Sequence, residues 1–155
     1  EAIGIHEVIF DNTNKKDEAW YINTNQTFAF ANDTVTASYG SATAKAHADT
    51  NATDADGVES TTPGLKTNLI RDLKINVANE LAKTDWYITR NTEKTTAIPS
   101  SISTHRDAVR TKQAAQEAQI TGASDTAALE TLHTYTTDAN GVQSRPLGTL
   151  PILEI

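Results

Sequence analysis

The spacing of apolar residues changes once along the chain, and that change divides it. In the first part the period is two or irregular. Ile3, Ile5, Val8, Ile9 and Phe10 form a short apolar patch closed by the turn-forming Asp11-Asn12-Thr13-Asn14. Ala19-Trp20-Tyr21-Ile22 is the next candidate strand. Phe28 and Phe30 alternate with small residues, and Val35, Ala37 and Tyr39 follow Asn32-Asp33, which predicts a half-buried hairpin. From Ser41 to Thr62 the alternation fades into small and polar residues. Asp49, Asp54, Asp56 and Gly57 predict an exposed loop there.

Pro63-Gly64 marks the switch to a helical period. Leu65, Leu69, Leu73 and Val77 recur every four residues, flanked by Ile70 and Leu81, which predicts an amphipathic helix ending near Lys83-Thr84. Thr84 to Ile88 then reads as a short extended stretch. A second helix is expected to begin at Pro99 or Ser100, to carry the narrow stripe Ile102, Val109 and Ile120, and to close at Gly122. Ser124 is the expected cap of a third, short helix with Ala127, Ala128, Leu129 and Leu132. Tyr135 to Leu147 reads as a hairpin turned by Asp138-Ala139-Asn140-Gly141. No internal repeat is apparent. The predicted class is α+β: a β-rich attachment or oligomerisation region over 1–62, then a helical-hairpin unit with a C-terminal β-hairpin over 63–155.

Composition qualifies this picture. Only 37% of the 155 residues are hydrophobic, with three Phe, two Trp and no Met, while Thr fills about one position in six. Thr suits half-buried strands and turns, and so an extended β-rich piece or a subunit completed by neighbours. The formal net charge of −7 repels phosphates and predicts no nucleic-acid partner. No apolar run approaches the ~20 residues that span a bilayer, so no membrane partner is expected. Glu1 to Phe10 has neither a basic region nor a long apolar stretch and does not read as a signal peptide. Without cysteine there is no disulfide, thiolate metal site or cysteine nucleophile.

Catalytic patterns are lacking. The sequence contains no nucleophile elbow, P-loop or dinucleotide fingerprint. Asp17 and Glu18 are adjacent, and on one strand they would point apart rather than across a cleft. His6, His47, His105 and His133 show no ligand spacing. The run from Asp49 to Gly57 offers oxygens at calcium-loop positions but has Asp54 where the loop needs Gly and Ser60 where it needs Glu, so it reads as a hydrated loop. Three glycosylation-type triplets begin at Asn25, Asn32 and Asn51 and are read as products of a Thr- and Asn-rich composition. Arg90, Arg106, Arg110 and Lys112 form the one basic concentration, read as a solvated or ion-paired helix face. The expectation is a protein with no catalytic residue, no metal and no cofactor.

Leu81-Ala82-Lys83-Thr84-Asp85-Trp86-Tyr87, then Arg90, Ile98-Pro99, Ile102, Arg106 and Arg110, follow one another in a recognisable order. Over about Leu65–Lys112 the chain resembles a unit of tailed-bacteriophage tail-fibre and tail-fibre-assembly (tail assembly chaperone-like) proteins. That unit typically has a second Trp or Tyr before the arginine pair, where this chain has Ser103, Thr104 and His105. The resemblance implies a virion structural protein associated with a tail or fibre, made in the host cytoplasm and located in the virion. Its partners would be other virion or tail proteins, and further copies of itself as a homo-oligomer, a trimer in particular. Ile102 and Val109 lie seven apart, but Gln116 interrupts a heptad. Asp85 is expected to accept hydrogen bonds at a helix end, Trp86 and Tyr87 to anchor both helices, and Arg106 and Arg110 to bind carboxylates or carbonyls within the hairpin or on a partner. Phe28 and Phe30 are the expected β interface. The rivals are an assembly chaperone absent from the finished particle, and a receptor- or glycan-binding module using exposed Trp20, Tyr21 or Tyr39.

Overall fold

The computed structural model describes residues 6–24 and 26–153. Ile3 and Ile5 of the first apolar patch, and Asn25 of the first glycosylation-type triplet, lie outside them. The chain is α+β and forms two compact units, Glu1–Lys45 and Ala46–Ile155.

The first unit contains β1 (Glu7–Asp11), β2 (Tyr21–Ile22), β3 (Thr27–Ala31), β4 (Thr34–Ser38) and β5 (Thr43–Ala44). A three-stranded sheet has the order β1-β4-β3, with β1 parallel and β3 antiparallel to β4. The hairpin between β3 and β4 turns on Asn32 and Asp33, both at positive φ (52° and 66°). Asn and Asp tolerate the left-handed region that a two-residue turn of this twist demands. The candidate strand at Ala19–Ile22 shortens to Tyr21–Ile22, paired with β5.

The second unit begins with β6 (Thr50–Thr53) and β7 (Glu59–Thr62), an antiparallel hairpin where the sequence predicted a loop. Every residue of both strands is exposed, so no apolar alternation marks them. They are held instead by β-prone Thr and by the turn. The Asp54 side chain accepts hydrogen bonds from the amides of Asp56 and Val58, and Gly57 takes φ +80°. Asp54, which stands where a calcium loop needs Gly, thus has a carboxylate oxygen committed to the backbone of the turn.

Helix α1 (Leu65–Ala82) follows, as its four-residue period predicts. Asp49 reaches across to its start, accepting from the Gly64 amide at 2.8 Å and the Thr67 hydroxyl at 2.6 Å. These bonds hold the Asp49 carboxyl below its usual range, the Thr67 hydroxyl being the larger cause. Leu65 and Lys66 donate to the carbonyls of Ala46 and His47, which satisfies amides a helix start leaves open. Gly64 is required at this junction, because a Cβ there would overlap the Ala48 carbonyl.

Thr84 to Ile88 is not extended. It opens a second helix, α2 (Asp85–Lys94). Its stop is a left-handed Thr95 (φ 54°), with Asn91 Nδ2 donating to the Thr96 carbonyl. Helix α3 (Ser100–Gly122) has the predicted limits, with Pro99 at its N-cap position. Helix α4 (Thr126–His133) is capped by Asp125, whose carboxylate accepts from the Ala128 amide; Ser124 does not cap it. The chain then forms the predicted hairpin of β8 (Thr136–Thr137) and β9 (Gln143–Ser144).

α1 and α3 form the principal helix pair. Leu73 and Val77 of α1, Ile102, Val109 and Ile120 of α3, Leu129 of α4 and Leu147 are buried. Each such side chain contributes roughly 1.5–3 kcal/mol on leaving water. Gln116 does not break the α3 stripe. It is 2% exposed and continues the stripe as a polar member, donating to the carbonyls of Leu147 and Gly148 and tying the C-terminal segment to the helix.

The two hairpins of this unit are near copies. Thr53–Ser60 and Thr137–Ser144 are identical in sequence except for Asp56 against Asn140 and Glu59 against Gln143. In each, the first Asp accepts side-chain bonds from the amides two and four residues on, and the Gly sits at φ near +80°. Asp54 and Asp138 each donate their amide to the Val carbonyl across the turn at 3.0 Å. The chain thus carries an internal repeat that a pattern of apolar spacing does not register.

Candidate functional site

The segment linking α1 to α2 is held by one arginine. Arg106, 8% exposed, enters from α3 and donates through one terminal nitrogen to the Leu81 carbonyl (2.8 Å), the Thr84 hydroxyl (2.7 Å) and Asp85 Oδ1 (2.8 Å). Thr84 is fully buried, and both its amide and its hydroxyl donate to the Leu81 carbonyl. A buried guanidinium needs oxygen partners, and the last carbonyls of a helix are open acceptors. Arg106 therefore closes α1, orients the start of α2 and clamps both to α3. Asp85 accepts at a helix end, as the sequence predicted. Its side chain is 60% exposed, so the pair is a half-buried one.

Beside this clasp lies a second polar group. Glu80 pairs with Lys83, and His105 Nε2 stands 3.3 Å from Glu80 Oε1. The Lys83 hydrogen bond, with a smaller Coulombic contribution from Lys83 and His105, holds the Glu80 carboxyl below its usual range. Among the described residues no three His, Asp or Glu side chains converge as metal ligands.

The remaining predicted site residues separate. Arg110 lies one turn after Arg106 but is solvent-facing and pairs with Asp107 on its own helix at 3.3 Å. Trp86 does not anchor the two helices. It is 51% exposed on α2, with its ring 3.8 Å from that of the half-buried Tyr87. Asp85 and Arg106 perform the packing that the sequence assigned partly to Trp86. The Arg90 guanidinium lies over both rings, 4.7 Å from Trp86 and 5.3 Å from Tyr87. The sequence signal for that stack is the i, i+4 spacing of Trp86 and Arg90, legible only once the segment is known to be helical.

Phe28 and Phe30 belong to β3 but are not half-buried. They are 66% and 61% exposed. Register places Phe30 across from Val35, and Val35 across from Val8; Phe28, Ala37 and Phe10 form the row beside them. Alternation along a strand puts these six side chains on one face of the sheet. Val8 (46%) and Phe10 (61%) are also open, and within the first unit the His6 ring, 4.7 Å from that of Phe30, packs on one end of this face. The exposed part of three Phe and one Val amounts to roughly 400 Å², from about 200 Å² for a fully open aromatic side chain. Trp20 and Tyr21, which a sugar-stacking reading needs exposed, are buried at 9% and 7%.

No family model matches the chain, and no curated protein or solved structure is detectably similar to it.

Proposed function

We propose that the chain is a structural protein of a tailed-bacteriophage virion, tail- or fibre-associated, that works by protein–protein assembly and catalyses nothing. The observation that supports this reading is the largely exposed face of Val8, Phe10, Phe28 and Phe30. An apolar patch of roughly 400 Å² on so small a sheet is as large as the largest patch of a typical monomer. It amounts to about half of the ~800 Å² that each partner contributes to a standard interface. The six side chains of the face carry no charge, and the nearest ionisable pair is His6–Asp33 at its Phe30 end. The motif resemblance over Leu65–Lys112 supplies the virion setting, and the proposed assembly is a homo-oligomer, a trimer in particular, joined to other tail proteins.

Light scattering on the purified chain tests the assembly. A stable oligomer that becomes monomeric in Phe28→Ser/Phe30→Ser, with the helical signal intact, is the expected result. A monomer unaffected by the double substitution refutes the interface. Mass spectrometry of purified particles tests the setting. Presence at stoichiometric copy number supports a virion component, and absence with association to tail proteins in infected cells identifies an assembly chaperone instead.

A further inference from the structure

We infer that the Trp86–Tyr87–Arg90 stack on α2 is a second docking site, and that it takes an acidic protein segment in which a carboxylate side chain neighbours an apolar one. The site lies in the helical unit, and the inference stands independently of the sheet face in the first unit and of the virion setting.

Arg90 carries the argument. Each of the other arginines reaches an oxygen: Arg71 at Asp72, Arg106 at Asp85, Arg110 at Asp107 and Arg145 at the Gly148 carbonyl. No hydrogen bond or ion pair within the described residues reaches Arg90. Its Nε is shut away from solvent without an acceptor. The guanidinium is nonetheless held in place, lying over two rings whose centroids are 3.8 Å apart. Stacking of this kind fixes the plane of the fork, and with Nε buried the two terminal nitrogens are the ones left to meet a carboxylate end-on.

The rest of the site selects in the same direction. Of the three stacked side chains, the Trp86 indole and Arg90 only donate, and the Tyr87 hydroxyl alone can accept. A ligand complementary to such a site is rich in acceptors. A sugar, which offers as many donors as acceptors, leaves its own hydroxyl protons unmatched there. Half-exposed Trp86 adds a flat apolar surface for the neighbouring side chain, and Trp, Tyr and Arg are the residue types most enriched where binding energy concentrates.

The test is a selection of random peptides displayed on a surface against the immobilised full chain, repeated against Arg90→Gln. Gln keeps a donor and much of the stem but removes the charge and the fork. Far-UV circular dichroism and the thermal midpoint first establish that the variant retains its helices. Peptides retained by the wild type and lost by the variant are expected to be enriched in Asp or Glu beside Leu, Ile, Val or an aromatic residue. Resynthesised individually, they should quench Trp86 fluorescence and bind Arg90→Gln about tenfold more weakly or worse, the difference shrinking in high salt. Equal retention by both proteins, or enrichment without acidic residues, overturns the inference. So does saturable binding of a neutral oligosaccharide at the same residues. If Trp86→Leu binds the acidic peptides as tightly as wild type, the aromatic half of the site is refuted as well.

Discussion

Replacing Arg106 with Ala and with Met separates what its charge contributes from what its stem contributes. Arg106→Met keeps an unbranched stem in the α1–α3 seam and deletes the guanidinium. Lost with it are charge-assisted bonds to Leu81, Thr84 and Asp85, at ~1.5–3 kcal/mol for bonds of this kind. Part of that is returned, because a buried cation no longer has to be kept out of water. Leu81 retains two donors from Thr84, and Asp85, 60% exposed, rehydrates. The net cost should be about 1–2 kcal/mol. Arg106→Ala removes the stem as well, and two or three methylene groups at ~0.8 kcal/mol each bring the total to about 3–4 kcal/mol. Asp85→Asn keeps an acceptor on an exposed side chain and should cost about 1 kcal/mol or less. Urea unfolding of the full chain, followed by the helical circular-dichroism signal, reads the helical unit alone, since all the described helices lie in it. With a slope of ~1–3 kcal/mol/M, Arg106→Ala shifts the midpoint by more than about 1 M. If Arg106→Met is as damaging as Arg106→Ala, or Asp85→Asn exceeds both, the clasp does not work through a packed stem and a half-buried ion pair.

Four further outcomes are expected. Thr95→Gly should raise stability by about 1 kcal/mol in the same assay, because a β-branched residue at φ 54° is strained where glycine is not. Asn140→Asp should leave the thermal midpoint unchanged, since the sister turn holds Asp56 in the same position with the same bonds, whereas Gly141→Ala or Gly57→Ala should each cost ~1–2 kcal/mol. The Glu80 carboxyl is depressed in the folded chain, so its contribution is present above the unfolded value of 4.5 and is lost as pH falls through the lower folded value. Acid titration of Glu80→Gln should therefore show a flatter decline in that window, and an unchanged profile would sink the Glu80–Lys83 assignment. Asp125→Ala should destabilise α4 by ~0.5–2 kcal/mol, seen as faster amide exchange at Ala128, while Ser124→Ala should have little effect.

Elements whose burial follows a period were the legible ones. The Leu65, Leu69, Leu73 and Val77 series fixed α1, and Pro99 and Gly122 bounded α3. Asn140-Gly141 marked a turn. α2 was missed because Asp85-Trp86-Tyr87-Ile88 places its apolar residues side by side, as a strand would. The helix buries none of them fully; the Arg106 clasp and the left-handed Thr95 set its limits. The β6–β7 hairpin was illegible for the opposite reason. With both faces in water it has no alternation to read, and its signal was the Asp54–Gly57 turn. Of the site residues, Asp85 was expected to accept at a helix end and Arg106 to bind a carboxylate or carbonyl, but their pairing with one another was not legible in the order of the motif. The exposure of Trp86 depends on where α2 lies, which the one-dimensional pattern does not carry. Phe28 and Phe30 were assigned to a strand correctly, but alternation reports a shared face and not whether anything covers it.

The paired turns have an immunological consequence. Both Thr53–Ser60 and Thr137–Ser144 are solvent-facing, with Val58 and Val142 open at 60% and 58%. An antibody raised against one turn meets nearly the same side chains, on the same backbone, at the other. Each chain then offers two related epitopes to a single binding specificity. Bivalent capture should exceed the affinity of one arm wherever two turns fall within reach. Silencing the response would require altering both turns, because changing either alone leaves a full epitope in place.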